Sequence, residues 1–174
     1  MLRFSLNALT RFLFCFAVVC IFCSTESISQ QKKIACKMTC ATTERKEFDI
    51  GYPEGHSFSI TETEGINTST GLNPFLEGAK VINFSFADLV MGNGDYQGYI
   101  KLEKKDDMVL CKWDGSIKTI IGPEKIPVTT FEGTFFYIYG SGSFKNIQGK
   151  GTFKGEFISR TIYIVDWEGE YSIK

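Results

Sequence analysis

The chain has a single histidine and only four prolines. Its longest apolar run, residues 12–23, is shorter than the roughly 20 residues that a membrane-spanning helix needs. No segment of ten or more residues has the apolar spacing of an amphipathic helix. Nucleophile-elbow, Walker-loop and EF-hand patterns are also missing. These absences argue against a helical or α/β enzyme and favour an all-β chain.

Charge of one sign is not in excess either. Lysine and arginine total 19 against 20 aspartates and glutamates, which gives a formal net charge of −1. Nucleic acids and anionic membranes select clustered basic residues. The short pairs Lys32-Lys33 and Lys104-Lys105 are interpreted as solvated surface. We therefore predict no nucleic-acid partner.

The first 29 residues have the pattern of a cleaved export signal. Arg3 and Arg11 precede the apolar run 12–23, and small residues ending at Ser29 match a signal-peptidase site. A membrane anchor and a lipoprotein signal are the weaker alternatives. We predict that residues 1–29 are a signal peptide, that the mature protein is secreted or periplasmic, and that it has no membrane partner after cleavage.

Signal cleavage would leave three of the six cysteines, namely Cys36, Cys40 and Cys111. In an oxidising compartment two of the three could pair, and the sequence does not say which. Cys36 and Cys40 lack a second ligand pair nearby, so no metal site is predicted. Cys111 alternates with Val109 and Trp113 and is interpreted as a small buried apolar residue. No cofactor is predicted.

Aromatic residues and glycines are what the chain has in abundance, with 16 phenylalanines and 17 glycines. In residues 130–157 they indicate two long antiparallel strands joined by a glycine-rich connection. Alternation and turn signals predict eight strands in all. Their predicted ranges are 56–64, 79–87, 96–103, 108–113, 116–121, 128–139, 150–158 and 161–172.

Asp114-Gly115 is interpreted as a hairpin turn between two of these strands. A meander of eight strands has exposed edges, and closure into a barrel removes them. The sequence therefore predicts an all-β fold with an eight-stranded antiparallel β-barrel at 48–174, and a β-sandwich is the alternative. Residues 30–47 are polar and are predicted to be a linker or cap.

Some strands are apolar on both faces, among them 134–139 and 161–167. One face can fill the barrel, and the other should pack under a terminal segment or against another subunit. A homo-oligomer is therefore one expectation, and cover by a terminal segment is the alternative.

Several motifs resemble those of a known superfamily. They are EGH at 54–56, NTSTGLNPFLEGA at 67–79, ADLVMGNGDYQGY at 87–99, KWDG at 112–115, TFEGTF at 130–135, GSGSFKNIQGKGTFKG at 140–155 and VDWEGEY at 165–171. Together they resemble small secreted members of the allene oxide cyclase-like and dirigent-like barrels. The resemblance implies a calycin-like eight-stranded barrel, commonly trimeric, with an apolar internal pocket. Catalytic residues of those families have no one-to-one match here.

Six residues are the candidates for lining such a pocket. His56 and Glu62 share a strand face with Phe58 and Ile60, and a histidine beside a carboxylate can do acid–base work. Glu132 shares a face with Phe136 and Ile138. Aromatic side chains with polar tips supply the rest of a pocket wall. The candidates are His56, Glu62, Trp113, Glu132, Tyr137 and Trp167. Each has a purely structural interpretation as an ordinary strand residue.

Asn67 and Asn83 begin Asn-X-Ser patterns and are candidate glycosylation sites, with Asn67 placed in a loop at 65–74. Three functions remain open from the sequence. The first is a barrel that binds a small apolar or aromatic ligand, the second a cyclase- or dirigent-type enzyme that steers a reactive intermediate. The third is a solid barrel that acts as an interaction module.

Overall fold

A computed structural model describes residues 30–122 and 124–174, which form eight antiparallel strands. The strands are β1 Lys32–Asp49, β2 His56–Ser69, β3 Lys80–Val90, β4 Asn93–Lys104, β5 Asp107–Ile121, β6 Pro127–Ser141, β7 Ile147–Phe157 and β8 Ile162–Ile173. Each strand pairs with the next, and β8 pairs with β1, so the sheet closes into a barrel. The predicted all-β fold and eight-stranded antiparallel barrel are confirmed, and the sandwich is excluded.

Helix is confined to one short 3-10 turn, Gly142–Phe144, in the part of the chain that the structure describes. No helix within these ranges is long and apolar enough to cross a membrane. The predicted signal peptide at 1–29 lies outside the described residues.

The prediction of a linker or cap at 30–47 was wrong, because this segment forms β1. Its first half alternates between exposed and buried residues, and Ile34, Cys36, Met38 and Cys40 face the barrel interior. The alternation is hidden in the sequence when cysteine is read as polar. Buried free cysteine behaves as a small apolar residue, so β1 has a complete apolar face.

The predicted hairpin at Asp114-Gly115 was also wrong, because β5 runs through it without a break. Gly115 lies opposite Gly133 of β6. A Cβ atom on Gly115 would stand 2.2 Å from the carbonyl oxygen of Glu132, so this glycine allows two backbones to approach closely. The missed β1 and the merged β5 cancel, which is why the predicted number of strands was right.

The other short connections agree with the sequence. Met91 and Gly92 join β3 to β4 with φ angles of 52° and 76°, as a tight two-residue hairpin requires. The glycine-rich connection between β6 and β7 is the 3-10 turn at Gly142–Phe144 with its two following residues.

The two ends of the barrel differ. We call one the plugged end, with connections 70–79, 105–106 and 142–146, and the other the rim, with connections 50–55, 91–92, 122–126 and 158–161. At the plugged end the connection 70–79 folds inward, and Phe75 is fully buried. Its ring contacts the rings of Tyr137, Phe144, Trp167 and Tyr171. Phe75 therefore closes one end of the barrel.

Candidate ligand cavity

Aromatic rings fill most of the barrel interior and leave one apolar cavity of about 50 Å³. Both tryptophans of the chain, Trp113 and Trp167, are in its wall. The remaining lining residues are Met38, Cys40, Asn83, Tyr96, Ile100, Leu102, Cys111, Phe131, Phe135, Phe153, Tyr163 and Val165. Eight strands enclose a space that side chains nearly fill, so a small cavity is the expected outcome for this barrel size.

Glycines of neighbouring strands make room for these large rings. A Cβ atom on Gly98 would lie 2.6 Å from the indole of Trp113, and one on Gly133 would lie 2.6 Å from the ring of Phe153. The aromatic side chains thus lie across positions that carry no side chain. This explains why the sequence combines so many aromatic residues with so many glycines.

Two buried asparagines hold the indole rings in place. Trp113 Nε1 donates to Asn83 Oδ1 at 2.9 Å, and Trp167 Nε1 donates to Asn67 Oδ1 at 3.1 Å. Asn83 Nδ2 donates to Tyr163 Oη and to Thr63 Oγ1, both at 3.4 Å. Because these polar groups bond to one another, the cavity presents an almost wholly apolar surface.

The same bonds rule out glycosylation of the folded barrel at these asparagines. Asn67 is 0% exposed and Asn83 is 3% exposed. Asn67 lies in β2 instead of the predicted loop, and its Nδ2 donates to the carbonyl oxygens of Phe75 and Leu76 at 2.8 and 3.1 Å. The predicted glycosylation sites were therefore wrong, because a motif match does not report burial.

The ionisable groups in the cavity wall are held neutral. Burial raises the pKa of Cys40 to about 11 and raises the pKa of Cys111 as well. Burial likewise raises the pKa of Tyr96 and Tyr163. At neutral pH the cavity therefore carries thiols and phenols without charge.

All three cysteines outside 1–29 are free and buried. Cys111 has 1% exposure, which confirms its interpretation as a small buried apolar residue. Within residues 30–122 and 124–174, no group of three or more histidine, cysteine or acidic side chains is placed to hold a metal ion.

Three of the six predicted pocket residues lie inside the barrel. Trp113 and Trp167 line the cavity. Tyr137 is buried between the cavity and the plug, where its ring contacts Phe75 and Phe135. Its hydroxyl has no hydrogen-bond partner among the described residues, and burial raises its pKa.

Glu62 and Glu132 lie on the outer face, which contradicts their predicted place in the pocket. On β2 the buried residues are Ser59, Thr63 and Asn67, so the face predicted to be inside is outside. On β6 the inner face holds Phe131, Phe135 and Tyr137, and Glu132 is exposed. Strand periodicity separates the two faces but does not say which faces inward: on β6 both faces carry apolar residues, and on β2 the inward face is the polar one, whose Thr63 and Asn67 bond to buried aromatic side chains.

His56 lies at the rim and is absent from the cavity wall. Its Nε2 lies 2.6 Å from Asp88 Oδ1, and its Nδ1 lies 2.8 Å from the carbonyl oxygen of Tyr52. Both partners are acceptors, so the arrangement favours the doubly protonated imidazolium. The backbone hydrogen bond to Tyr52 and the side-chain bond to Asp88 raise the pKa of His56. His56 therefore ties connection 50–55 to β3.

This tie should make stability depend on pH near neutrality. The pKa of His56 is raised from 6.5, so its contribution is complete below that value and is lost as pH rises through the raised pKa. We expect His56→Gln to flatten the dependence of the unfolding free energy on pH in this window. NMR titration of His56 and urea unfolding across pH measure both effects.

The control is Asp88→Asn, which keeps the histidine but removes its nearest carboxylate. Asp49 and Asp95 remain nearby, since Asp49 also raises the pKa of His56 and Asp95 lies opposite Asp88. We expect the raised pKa to move part of the way back toward 6.5. A His56 pKa of about 6.5 in the unaltered protein would contradict the proposed tie.

Sequence reasoning missed most of the cavity wall. Asn83 was considered only as a glycan acceptor, although its place within the apolar segment 81–84 marks a buried polar group. Phe153 and Tyr96 stood in correctly predicted strands without being assigned to the pocket. A search against known protein-family models gives no match, and a search of curated proteins gives no significant match either.

Proposed function

We propose that this protein is a secreted or periplasmic barrel that binds a compact apolar or aromatic ligand in its interior. The observation that carries the proposal is the apolar cavity walled by Trp113, Trp167, Tyr96 and Tyr163. Rigid aromatic walls with a few fixed polar groups are the usual composition of small-molecule sites. The export pattern at 1–29 and the resemblance to allene oxide cyclase-like barrels support the same proposal.

Cavity size limits the ligand. Pockets for drug-sized molecules measure about 300–1,000 Å³. The cavity here measures about 50 Å³, well below the roughly 150 Å³ of a cavity that holds benzene, so as it stands it suits an apolar group of only a few heavy atoms, and an aromatic ring would require it to widen. An apolar cavity of this kind stays dry and takes up small apolar molecules. Phe75 closes the plugged end, which leaves the rim as the side from which a ligand would enter.

An enzyme of the cyclase or dirigent type receives less support from this geometry. The ionisable groups in the cavity wall are Cys40, Cys111, Tyr96 and Tyr163. Each has a raised pKa, so none is poised to exchange a proton near neutral pH. His56, Glu62 and Glu132, the predicted residues that could do so, lie outside the cavity wall.

The position of the two tryptophans gives a direct test of ligand binding. We expect xenon, a heavy-atom quencher that enters dry apolar cavities, to quench their fluorescence with a saturable dependence on concentration. The matched variants are Val165→Phe, which fills the cavity, and Val128→Phe, which adds the same bulk on an exposed residue of β6. Only Val165→Phe should abolish saturable quenching.

Circular dichroism and thermal unfolding check that each variant is folded. If Val165→Phe does not fold, Val165→Ile reduces the cavity with less overpacking and should weaken the quenching. A bound ligand should also raise the unfolding temperature of the unaltered protein. Linear quenching that matches free tryptophan, with no thermal shift, contradicts a ligand cavity.

A second candidate, self-association, rests on the outer face of β3 to β6. Phe84 and Tyr99 lie opposite each other there, Lys112 follows Tyr99, and Phe136 follows Lys112. The rings of Phe84, Tyr99 and Phe136 are all exposed. On the other side of the barrel the outer row is charged, with Glu132, Lys154, Asp166 and Lys37 in successive register.

A row of exposed aromatic rings on the outer face of a barrel is typical of an interface between subunits. It agrees with the homo-oligomer expected from the sequence and with the trimer implied by the resemblance. Sedimentation equilibrium reports the subunit number, and a monomer at high concentration contradicts this candidate.

A further inference from the structure

Each of the four rim connections presents a large exposed apolar side chain. Tyr52 is 86% exposed, Met91 is 69% exposed, and Ile126 and Ile158 are each 58% exposed. In an up-and-down barrel these connections all lie at the same end. The rim is therefore surrounded by separate apolar tips.

The plugged end does not share this feature. Its connections carry Lys105, Asp106 and Lys145 on exposed positions, and its large apolar residues Phe75 and Leu76 are buried. Leu72 is its one fully exposed large apolar side chain among the described residues. Apolar tips are thus a property of the rim and not of the connections in general.

Hydrogen bonds hold part of the rim backbone in place. Met91 N donates to the carbonyl oxygen of Gly55 at 2.9 Å, and Thr119 Oγ1 donates to that of Gly92 at 2.9 Å. His56 adds its bond to Tyr52. These bonds link connection 50–55 to connection 91–92 and tie each of the two to a strand, so the tips of Tyr52 and Met91 are presented without a large cost in conformational entropy.

We propose that the rim docks on a zwitterionic lipid surface. The four connections carry Glu54, Glu124, Lys125 and Arg160, two charges of each sign. This balance matches neutral headgroups and gives no attraction to an anionic surface. Single side chains at separate tips insert among mobile headgroups, and tyrosine is common at that depth. A second copy of the chain would need a continuous complementary face instead.

The expectation of no membrane partner rested on cleavage of the export signal and on net charge, and net charge speaks only to anionic surfaces. The present proposal does not depend on the cavity being occupied. Lipid docking and ligand binding are measured separately, so either can fail while the other holds.

The test is flotation with phosphatidylcholine vesicles, using the full chain as exported. The test variant combines Tyr52→Ser, Ile126→Ser and Ile158→Ser, and the control is Leu72→Ser at the plugged end. All four replaced side chains are exposed, so folding should survive, and circular dichroism checks it. Because every sample has the same N-terminal processing, any effect of the apolar run at 12–23 is equal in all.

We expect the unaltered protein and Leu72→Ser to float, and the triple variant to bind at least about tenfold more weakly because apolar contact is lost. Absence of flotation by the unaltered protein overturns the proposal, and so does equal flotation of the triple variant. Flotation that requires phosphatidylserine overturns it as well. Light scattering completes the test by measuring the molar mass of each protein. If the unaltered protein is a dimer that does not bind vesicles, and the triple variant is a monomer, the rim binds a second copy of the chain and the proposal is overturned.

Discussion

Replacing Phe75 by alanine is expected to lower the unfolding free energy by about 3–5 kcal/mol, the usual cost of removing a buried phenylalanine ring. Phe75 is 0% exposed and contacts four aromatic rings at the plugged end. Hydrogen bonds to Asn67 and Ala35 hold the backbone of connection 70–79 in place, so we do not expect it to collapse into the vacated space. Urea unfolding followed by circular dichroism measures the change.

The control is Leu72→Ala in the same connection. Leu72 is 101% exposed, so its loss should change the unfolding free energy by less than about 0.5 kcal/mol. Similar effects for both variants would mean that the connection is not a plug. Binding of a hydrophobic dye by Phe75→Ala alone would show that the plugged end has opened.

Gly133→Ala is expected to lower the unfolding free energy by about 3 kcal/mol, even though alanine usually suits a strand better than glycine. An added Cβ would lie 2.1 Å from the carbonyl oxygen of Asp114 and 2.6 Å from the ring of Phe153. Both neighbours are constrained, because one is backbone of β5 and the other packs against Trp113. Relief would require the strands to separate. Urea unfolding measures this effect as well.

Gly122→Ala is the matched control. Its φ does not lie in the left-handed region, and an added Cβ would meet its nearest atom, the carbonyl oxygen of Ile126, at 3.2 Å. We expect a change within about 0.5 kcal/mol. A tolerated Gly133→Ala would contradict the view that glycines here are required by the rings that lie across them.

The fold could be predicted from the sequence where strands carry aromatic and branched residues between clear turns. β6, β7 and β8 are of this kind. β1 could not, because its interior face depends on Cys36 and Cys40, whose apolar role only burial reveals. The break predicted in β5 arose because a glycine that permits close strand contact looks the same as a turn glycine.

The cavity was harder to predict than the barrel. Trp113, Tyr137 and Trp167 could be predicted because aromatic rings with polar tips suit a pocket wall, but the same criterion does not exclude Tyr99, which is exposed. Glu62 was misplaced because the inward face of β2 is its polar one, with Ser59, Thr63 and Asn67, so the more apolar face was the wrong choice. Glu132 was misplaced because Phe136, on its face, is as apolar as the buried Phe135. Which face turns inward depends on strand pairing around the whole barrel, and this information is not local.

Seven of the eight strand pairs join neighbours in sequence, and only the pairing of β1 with β8 joins the two ends of the barrel. In that pairing Lys32 lies opposite Tyr171, and Ala41 opposite Ile162. The seven local pairs can form as hairpins, whereas the eighth requires the complete chain. During synthesis the growing sheet therefore has open edges until the last strand appears. A chain truncated before β8 would be an open sheet, not a smaller barrel, and its free edges would make it prone to aggregation.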